Sequence, residues 1–450
     1  MNAVLMVSAG PGEWRAGLFH DGEAVELMIE REQRQSLVGA VFLARIIRVL
    51  PALRGAFLDI GQDQPAFLPD ARRLAEGTAA LVQVRKDAFE DKAPEVSTAI
   101  ELAGRYCVWT PYRPGIAASR QLAREHRSAL TEALAPLIHD AEGVLLRSEA
   151  ETAGIEAMQA EIEALRGTYA AIRRAARKAQ APARLDAAPT PLDRLILPRL
   201  GEIALVVIDD RASPARIKAR FGLAASFVEP RSPELAALDE SFATALAPVV
   251  MLPEGGRLRF GRTAAFITID VDLGGAAATG GEAGAAIRRM NLAAARRLVR
   301  ELRLRNIGGA VVVDFISMAE RRHRQEVEAA MAAEAADDPA GIEFHGWTRL
   351  DHFELTRRRI RPSLADLMLE PAGDRQCKTA ATVGIELLRA FRQLPYAAGG
   401  YVARVEPDVA RALDGELGEA LAAAKAGASL DIRIEAEPGR FRESFDIAPA

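Results

Sequence analysis

Apolar and polar positions change rhythm several times along the chain, and each change marks a different kind of element. Residues 1–35 alternate in short runs, AVLMVS, EWRAGLFHDG and EAVELMIER, which predict three antiparallel strands with a tight turn at Asp21-Gly22. Such strands make half a sheet and need a partner to finish a domain. From Val38 to Thr98 the runs VGAVFLARIIRVL, GAFLDIG, QPAFLPD and AALVQVRK are broken at Pro51, Gly61, Pro69 and Gly77. That is the pattern of a small barrel of about five strands. Residues Tyr106 to Ala183 combine strand-like RYCVWT and GVLLRS with alanine-rich helical stretches, notably Gly154 to Arg177. The polar KAQAPARLDAAPTP reads as a connection. EIALVVIDD then predicts a buried strand, and SPARIKARF a helix opened by Ser213 with Pro214 at its first position. These could complete the N-terminal sheet, with the barrel as an insertion.

Between Val249 and Leu369 the order is strand, helix, strand, helix, which predicts a layered α/β domain. GGRLRF and AAFITIDVD are strands. AGAAIRRMNLAAARRLVRELRLR is a helix with Ile287, Met290, Ala294, Leu298 and Leu302 on one face. AVVVDFI is nearly all apolar, as in a sheet covered on both sides. Ser317 and Glu320 fit a capping box that opens the next helix. From about residue 380 helices and strands alternate as in a small α+β domain.

A chain of 450 residues and 48.4 kDa implies two or more domains. Its 49% hydrophobic and 27% charged residues exclude a disordered or fibrous protein. No apolar stretch reaches the roughly 18–20 residues that span a bilayer, and the start lacks the basic region of a secretory signal. Two cysteines, Cys107 and Cys377, supply neither a disulfide framework nor a complete zinc site. A cytoplasmic location is therefore expected. The formal charge of −4 does not by itself suggest a nucleic-acid partner. Its distribution does more: arginines cluster at 288–289, 296–297, 300–305, 321–324 and 357–361. Arginine suits bidentate phosphate contacts, although a chain that prefers arginine on every solvated face would look the same.

Alternation along AAFITIDVD puts Phe266, Thr268, Asp270 and Asp272 on one face and Ile267, Ile269 and Val271 on the other. Asp314 closes the second apolar strand. One aspartate at a strand end is most often a turn residue. Acids ending two strands of one sheet would repel unless a cation lay between them, and hard oxygen ligands suit magnesium or manganese. Such an ion polarises phosphate and generates hydroxide from bound water.

The run Leu302 to Gly309, LRLRNIGG, continuing through Val311-Val312-Val313-Asp314-Phe315-Ile316, resembles the signature of the ribonuclease E/G family of bacterial endoribonucleases. Ile29-Glu30-Arg31, Arg48-Val49-Leu50-Pro51, Ala56 to Gly61, Ala66 to Pro69 and Glu354-Leu355-Thr356-Arg357-Arg358-Arg359 extend the resemblance over nearly the whole chain. It implies an α/β and α+β multidomain protein. Its parts would be an RNase H-like sheet (1–35 and 186–248) interrupted by an OB-fold barrel (36–100) and a 5′-sensor region (101–185). A DNase I-like α/β catalytic domain (249–370), a linker (371–384) and a small C-terminal α+β domain (385–450) would follow. It further implies Asp270 and Asp314 as magnesium ligands, with manganese an alternative. Single-stranded RNA would be the partner, cut by in-line attack of water to leave a 5′-phosphate. Asp272 occupies a catalytic position. Phe57, Phe67, Lys92 and Arg357 would meet RNA, and Arg147-Ser148 resembles the Arg-Thr pair that recognises a 5′-monophosphate end.

The departures from the family pattern are specific. Asp-x-Asn-Ser/Thr-Gly becomes Asp270-Val271-Asp272-Leu273-Gly274, which adds a negative charge and removes an amide donor. A Glu just upstream in relatives is Ala264, and a polar Asn-x-Tyr-Lys-Gly becomes Ala40-Val41-Phe42-Leu43-Ala44. The zinc-link Cys-Pro-x-Cys becomes Glu370 to Cys377 with one thiol. Two thiolates per dimer are too few for a tetrathiolate, so no structural zinc is expected. A homodimer stays open, but not through such a link. The leading expectation is a magnesium-dependent endoribonuclease acting in RNA processing or turnover. The alternative is an RNA-binding paralogue with weakened catalysis, and a related DNase or phosphatase would use the same carboxylate chemistry.

Overall fold

The computed structural model describes residues 3–450 apart from 34, 72–73, 89–91, 120–121, 187–188, 254, 275–282, 337, 360, 374, 396–398 and 429–430. The chain divides into two compact units, one of residues 1–33, 205–214 and 225–450, the other of residues 34–204 and 215–224.

In the second unit, the strands Val41–Leu50, Gly55–Asp59, Ala66–Leu68, Glu95–Ser97 and Ala79–Lys86 pair in that order. Val41–Leu50 also pairs with Ala79–Lys86, which closes the sheet into a barrel. Alternation explains the closure: Phe42, Ala44, Ile46, Leu58, Val82, Val84 and Val96 point inward and form one core. The five-stranded barrel read from the sequence is therefore present. Residues 102–146 form a second sheet, ordered Gly115–Ala118, Gly143–Leu146, Cys107–Thr110, Leu102–Ala103, which shares a core with the helix Ile155–Ala176.

In the first unit, Ala3–Gly10, Glu13–His20 and Glu23–Arg31 make the expected meander. Its second turn is carried by Asp21 and Gly22, both at positive φ, as a two-residue hairpin requires. Ile203–Ile208 and Ala224–Phe227 extend this sheet on the side of the first strand.

A second six-stranded sheet is ordered Val249–Met251, Arg257–Arg262, Ile267–Asp272, Gly309–Asp314, His352–Arg357, Ile342–Trp347. Only the pair 267–272 and 309–314 is parallel, because the helix Ala283–Leu304 forms the crossover between them. That helix and Arg321–Ala335 cover one face through Met290, Ala294, Leu298, Leu302, Val327 and Met331. On the other face Ala310 and Asp314 are exposed and Val312 is half-buried, so helices do not cover this sheet on both sides as its apolar run suggested.

The capping box at Ser317 is also absent. The helix starts at Arg321 after Glu320, with no side-chain cap. Instead the buried Asn291 amide binds both backbone groups of Ile316 (2.7 and 3.2 Å), and residues 315–318 form no helical turn. The described residues of 371–384, read as a linker, belong to regular elements for the most part. Leu369–Ala372 and Arg375–Lys378 form a hairpin, and Thr379 caps the helix Ala380–Phe391. The C-terminal sheet Ile432–Ala436, Tyr401–Val405, Asp446–Pro449 packs with that helix and Pro407–Asp414, an α+β arrangement as expected.

Candidate active site

Asp270 and Asp314 are direct neighbours in the register of the parallel pair. Ile269, Val271, Val313 and Phe315 are buried on the helix-covered side, so the period of two forces both carboxylates onto the open face. Both are exposed at the C-terminal ends of their strands, where they line a cleft of about 580 Å³ with Asp272, Ser317, Leu350 and Asp351. His352 stands opposite Asp314 on the next strand, its Nδ1 3.4 Å from the Asp314 carboxylate.

Asp272 shares the face of Asp270 and is differently engaged. Its Oδ2 accepts from Arg257 Nε (2.9 Å) and Nη2 (2.7 Å), and its Oδ1 accepts from the Gly274 amide at 2.8 Å. The Gly274 amide and the Arg257 guanidinium hold its carboxyl below the usual carboxylate range. Arg259, paired in register with Asp270, adds a second cation 3.6 Å from Asp272.

Among the described residues no three His, Cys, Asp or Glu side chains converge as metal ligands. Two neighbouring carboxylates fit magnesium, which keeps several waters and takes one or two protein carboxylates. They do not fit a closed four-ligand zinc site.

The Ribonuclease E/G family matches residues 101–360. The chain belongs to this family. It is 27% identical to Ribonuclease G of Escherichia coli (strain K12), with 99% of each chain covered. It is 31% identical to Ribonuclease E of Nostoc sp., over 78% of this chain and 55% of the relative. Ribonuclease G of Haemophilus influenzae is 26% identical over 86% of this chain and 87% of its own.

The ribonuclease E/G signature 302–309 proves to be scaffold. Arg305 pairs with the buried Glu301 (2.6 Å) and lies over the Phe260 ring. Asn306 takes a left-handed φ of 52° and ties down the carbonyls of Arg361 and Pro362. Arg357, expected at the RNA surface, is 3% exposed and bidentate to Asp338 at 2.7 and 3.0 Å, with its Nη1 donating to the Ile307 carbonyl. With its guanidinium buried and bonded to these groups, Arg357 packs within the protein and does not lie at its surface.

On the barrel, Phe57 and Phe67 are cross-strand partners whose rings meet edge to face at 5.6 Å, half-buried and outside the core cluster. A Cβ on Gly55 would collide with the Phe67 ring, so that glycine makes room for it. Lys92 is exposed. Ala40, Phe42 and Ala44 are barrel interior and Val41 joins the neighbouring core, so these four replacements of the family's polar motif sit at packing positions. Arg147 donates to the Leu197 carbonyl and Ser148 Oγ lies 3.3 Å from Glu149, both half-buried.

In the hairpin 369–378, Cys377 is paired with Glu370 and lies 3.8 Å from Arg442. Asp374 of that segment lies outside the described residues. No described helix is long and apolar enough to cross a membrane. Asn291 and His352 stand outside every motif of the sequence. A lone amide on the buried face of an otherwise apolar helix could have signalled the first, and the position two before Glu354 in a strand of period two the second.

Proposed function

We propose that the chain is a magnesium-dependent endoribonuclease that hydrolyses single-stranded RNA and leaves 5′-phosphate ends, in RNA processing or turnover. The observation that carries this reading is the registered pair Asp270 and Asp314, side by side and exposed at the rim of an open cleft. Similarity to proteins named Ribonuclease G and Ribonuclease E supplies the substrate class.

Asp270 and Asp314 would hold the ion, which supplies charge stabilisation at phosphate and an acidified water when bound. The residues around it do the rest. The parallel register fixes the separation of the two carboxylates, and Asn291 fixes the loop that follows Asp314. Arg259, half-exposed beside Asp270, stands where negative charge would build on a phosphodiester. The charge added by Asp in place of Asn at 272 is met by Arg257 and Arg259, which favours an active enzyme over a weakened paralogue. On the barrel, Phe57 and Phe67 offer an aromatic surface on which bases of any identity can stack, with Lys92 as a phosphate contact.

The test is incubation with a 5′-monophosphorylated A/U-rich oligonucleotide. Cleavage should require magnesium, give products whose new ends are phosphatase-sensitive at the 5′ side, and vanish in Asp314→Ala. Cleavage that persists in that variant, or in excess chelator, overturns the proposal.

A further inference from the structure

A second pocket, of about 220 Å³, lies in the first unit away from the aspartate pair, lined by Arg15, Asp239, Phe242, Lys378, Glu386 and Arg389 among others. Its charges are unevenly matched. Arg15 gives its Nε to the fully buried Glu13 at 2.6 Å, and the same carboxylate also serves Arg31 at 2.7 Å. Arg389 gives Nη2 to Asp239 at 3.0 Å, with Arg15 Nη1 3.7 Å from the same group. Lys378 is matched by Glu386 (2.8 Å), whose carboxylate also stands 3.9 Å from Arg15 Nη2, beyond hydrogen-bond reach, and Arg392 by Asp209 (2.9 Å). Arg15, Arg31 and Arg389 against Glu13 and Asp239 therefore leave one positive charge unbalanced.

Two donors are also left over. Arg15 is 4% exposed and Arg389 8%, yet Arg15 Nη2 and Arg389 Nη1 have no hydrogen-bond partner. Burial and the neighbouring Arg15 both act to lower the pKa of Arg389, as expected for a buried cation set beside another cation. A buried unsatisfied charged donor is costly, and a planar guanidinium fork matches an oxyanion with two parallel bonds. The apolar floor, Phe242, Leu246 and Met368, lowers the local dielectric and strengthens any such contact. The volume falls below the roughly 300–1,000 Å³ of sites for drug-sized ligands, which limits the occupant to a small anion.

We propose that this pocket binds a phosphoryl group, held between the guanidinium groups of Arg15 and Arg389. The group belongs either to a small free phosphate compound or to the terminal phosphate of an oligonucleotide. The site is independent of the carboxylate cleft and of the proposed cleavage reaction.

Calorimetric titration of the full chain with inorganic phosphate, in metal-free chloride buffer, tests it. Saturable binding of one phosphate per chain is expected, weakened about tenfold or more by Arg389→Met. Asp314→Asn should bind phosphate as the parent does. Ala243→Glu places a carboxylate at the exposed mouth without touching the buried ion pairs, and should also abolish binding. It keeps the test open if Arg389→Met does not fold. A 5′-monophosphorylated dinucleotide that displaces phosphate assigns the site to RNA ends, and one that does not assigns it to a free compound. No saturable binding up to about 10 mM, or equal binding by the parent and Ala243→Glu, overturns the proposal.

Discussion

Asp272 and Arg257 face each other across an antiparallel strand pair, the carboxylate taking two hydrogen bonds from one guanidinium. Their partnership lets an acid occupy the position next to the paired aspartates without leaving its charge free. Arg257→Met should therefore lower kcat/KM, and Asp272→Asn in the same chain should restore part of the loss. A coupling of about 1 kcal/mol, roughly fivefold in rate, is expected for a half-exposed pair of this kind. Strictly additive effects in the double-mutant cycle would show that the two residues do not act together.

Glu13 sets the acid limit of the first unit. Burial alone would push its carboxyl up, but the charges and hydrogen bonds of Arg15 and Arg31 more than offset this and hold it at about 2. Its pKa is thus depressed on folding, so its stabilisation is complete above its unfolded value of 4.5 and fades as pH falls from there toward about 2. Glu13→Gln should cost about 3 kcal/mol at neutral pH, because it leaves two buried cations unpaired. Urea midpoints measured from pH 7 to 2 should show a smaller acid-side drop for the variant. Parallel curves would refute the assignment.

Arg357 should behave as a stability residue. Removing it strands the buried Asp338 carboxylate, so Arg357→Met is expected to cost about 3–5 kcal/mol. RNA affinity of the folded variant, and the slope of that affinity against salt, should stay at parental values; a shallower slope would return Arg357 to the RNA surface.

The barrel aromatics should do the reverse. Phe57→Ala and Phe67→Ala remove rings that lie outside the barrel core, so thermal unfolding should move little. Oligonucleotide affinity should fall by about 1–3 kcal/mol for each stacked base lost. Large destabilisation with unchanged affinity would make them packing residues.

Metal analysis separates the two kinds of site. The purified chain should carry no stoichiometric zinc, since Cys377 is a single thiol facing Glu370 and Arg442 in a hairpin. One zinc per dimer in elemental analysis would contradict this.

Much of the architecture was legible because it depends on local periodicity. Alternation in 41–50 and 79–86 foretold the barrel strands, and the 3.6-residue stripe of Ile287, Met290, Ala294, Leu298 and Leu302 foretold the helix that packs on the second sheet. The same rule placed Asp270 and Asp272 on one face of their strand. It could not tell that an arginine on a neighbouring strand would take up Asp272, because that contact is made by strand pairing. Nor could it separate Arg357 from the arginines beside it. All three look alike in sequence, and the first meets Asp338, 19 residues back.

By its own order, then, the chain determined which residues alternate, where helices run and which acids end apolar strands, since these follow from the chemistry of near neighbours. The tertiary structure alone decided that Asp270 and Asp314 share one register, that Asp272 is neutralised and that Arg15 and Arg389 are left with spare donors. Those outcomes depend on which distant segments are brought within hydrogen-bond range, and on the water excluded when they meet.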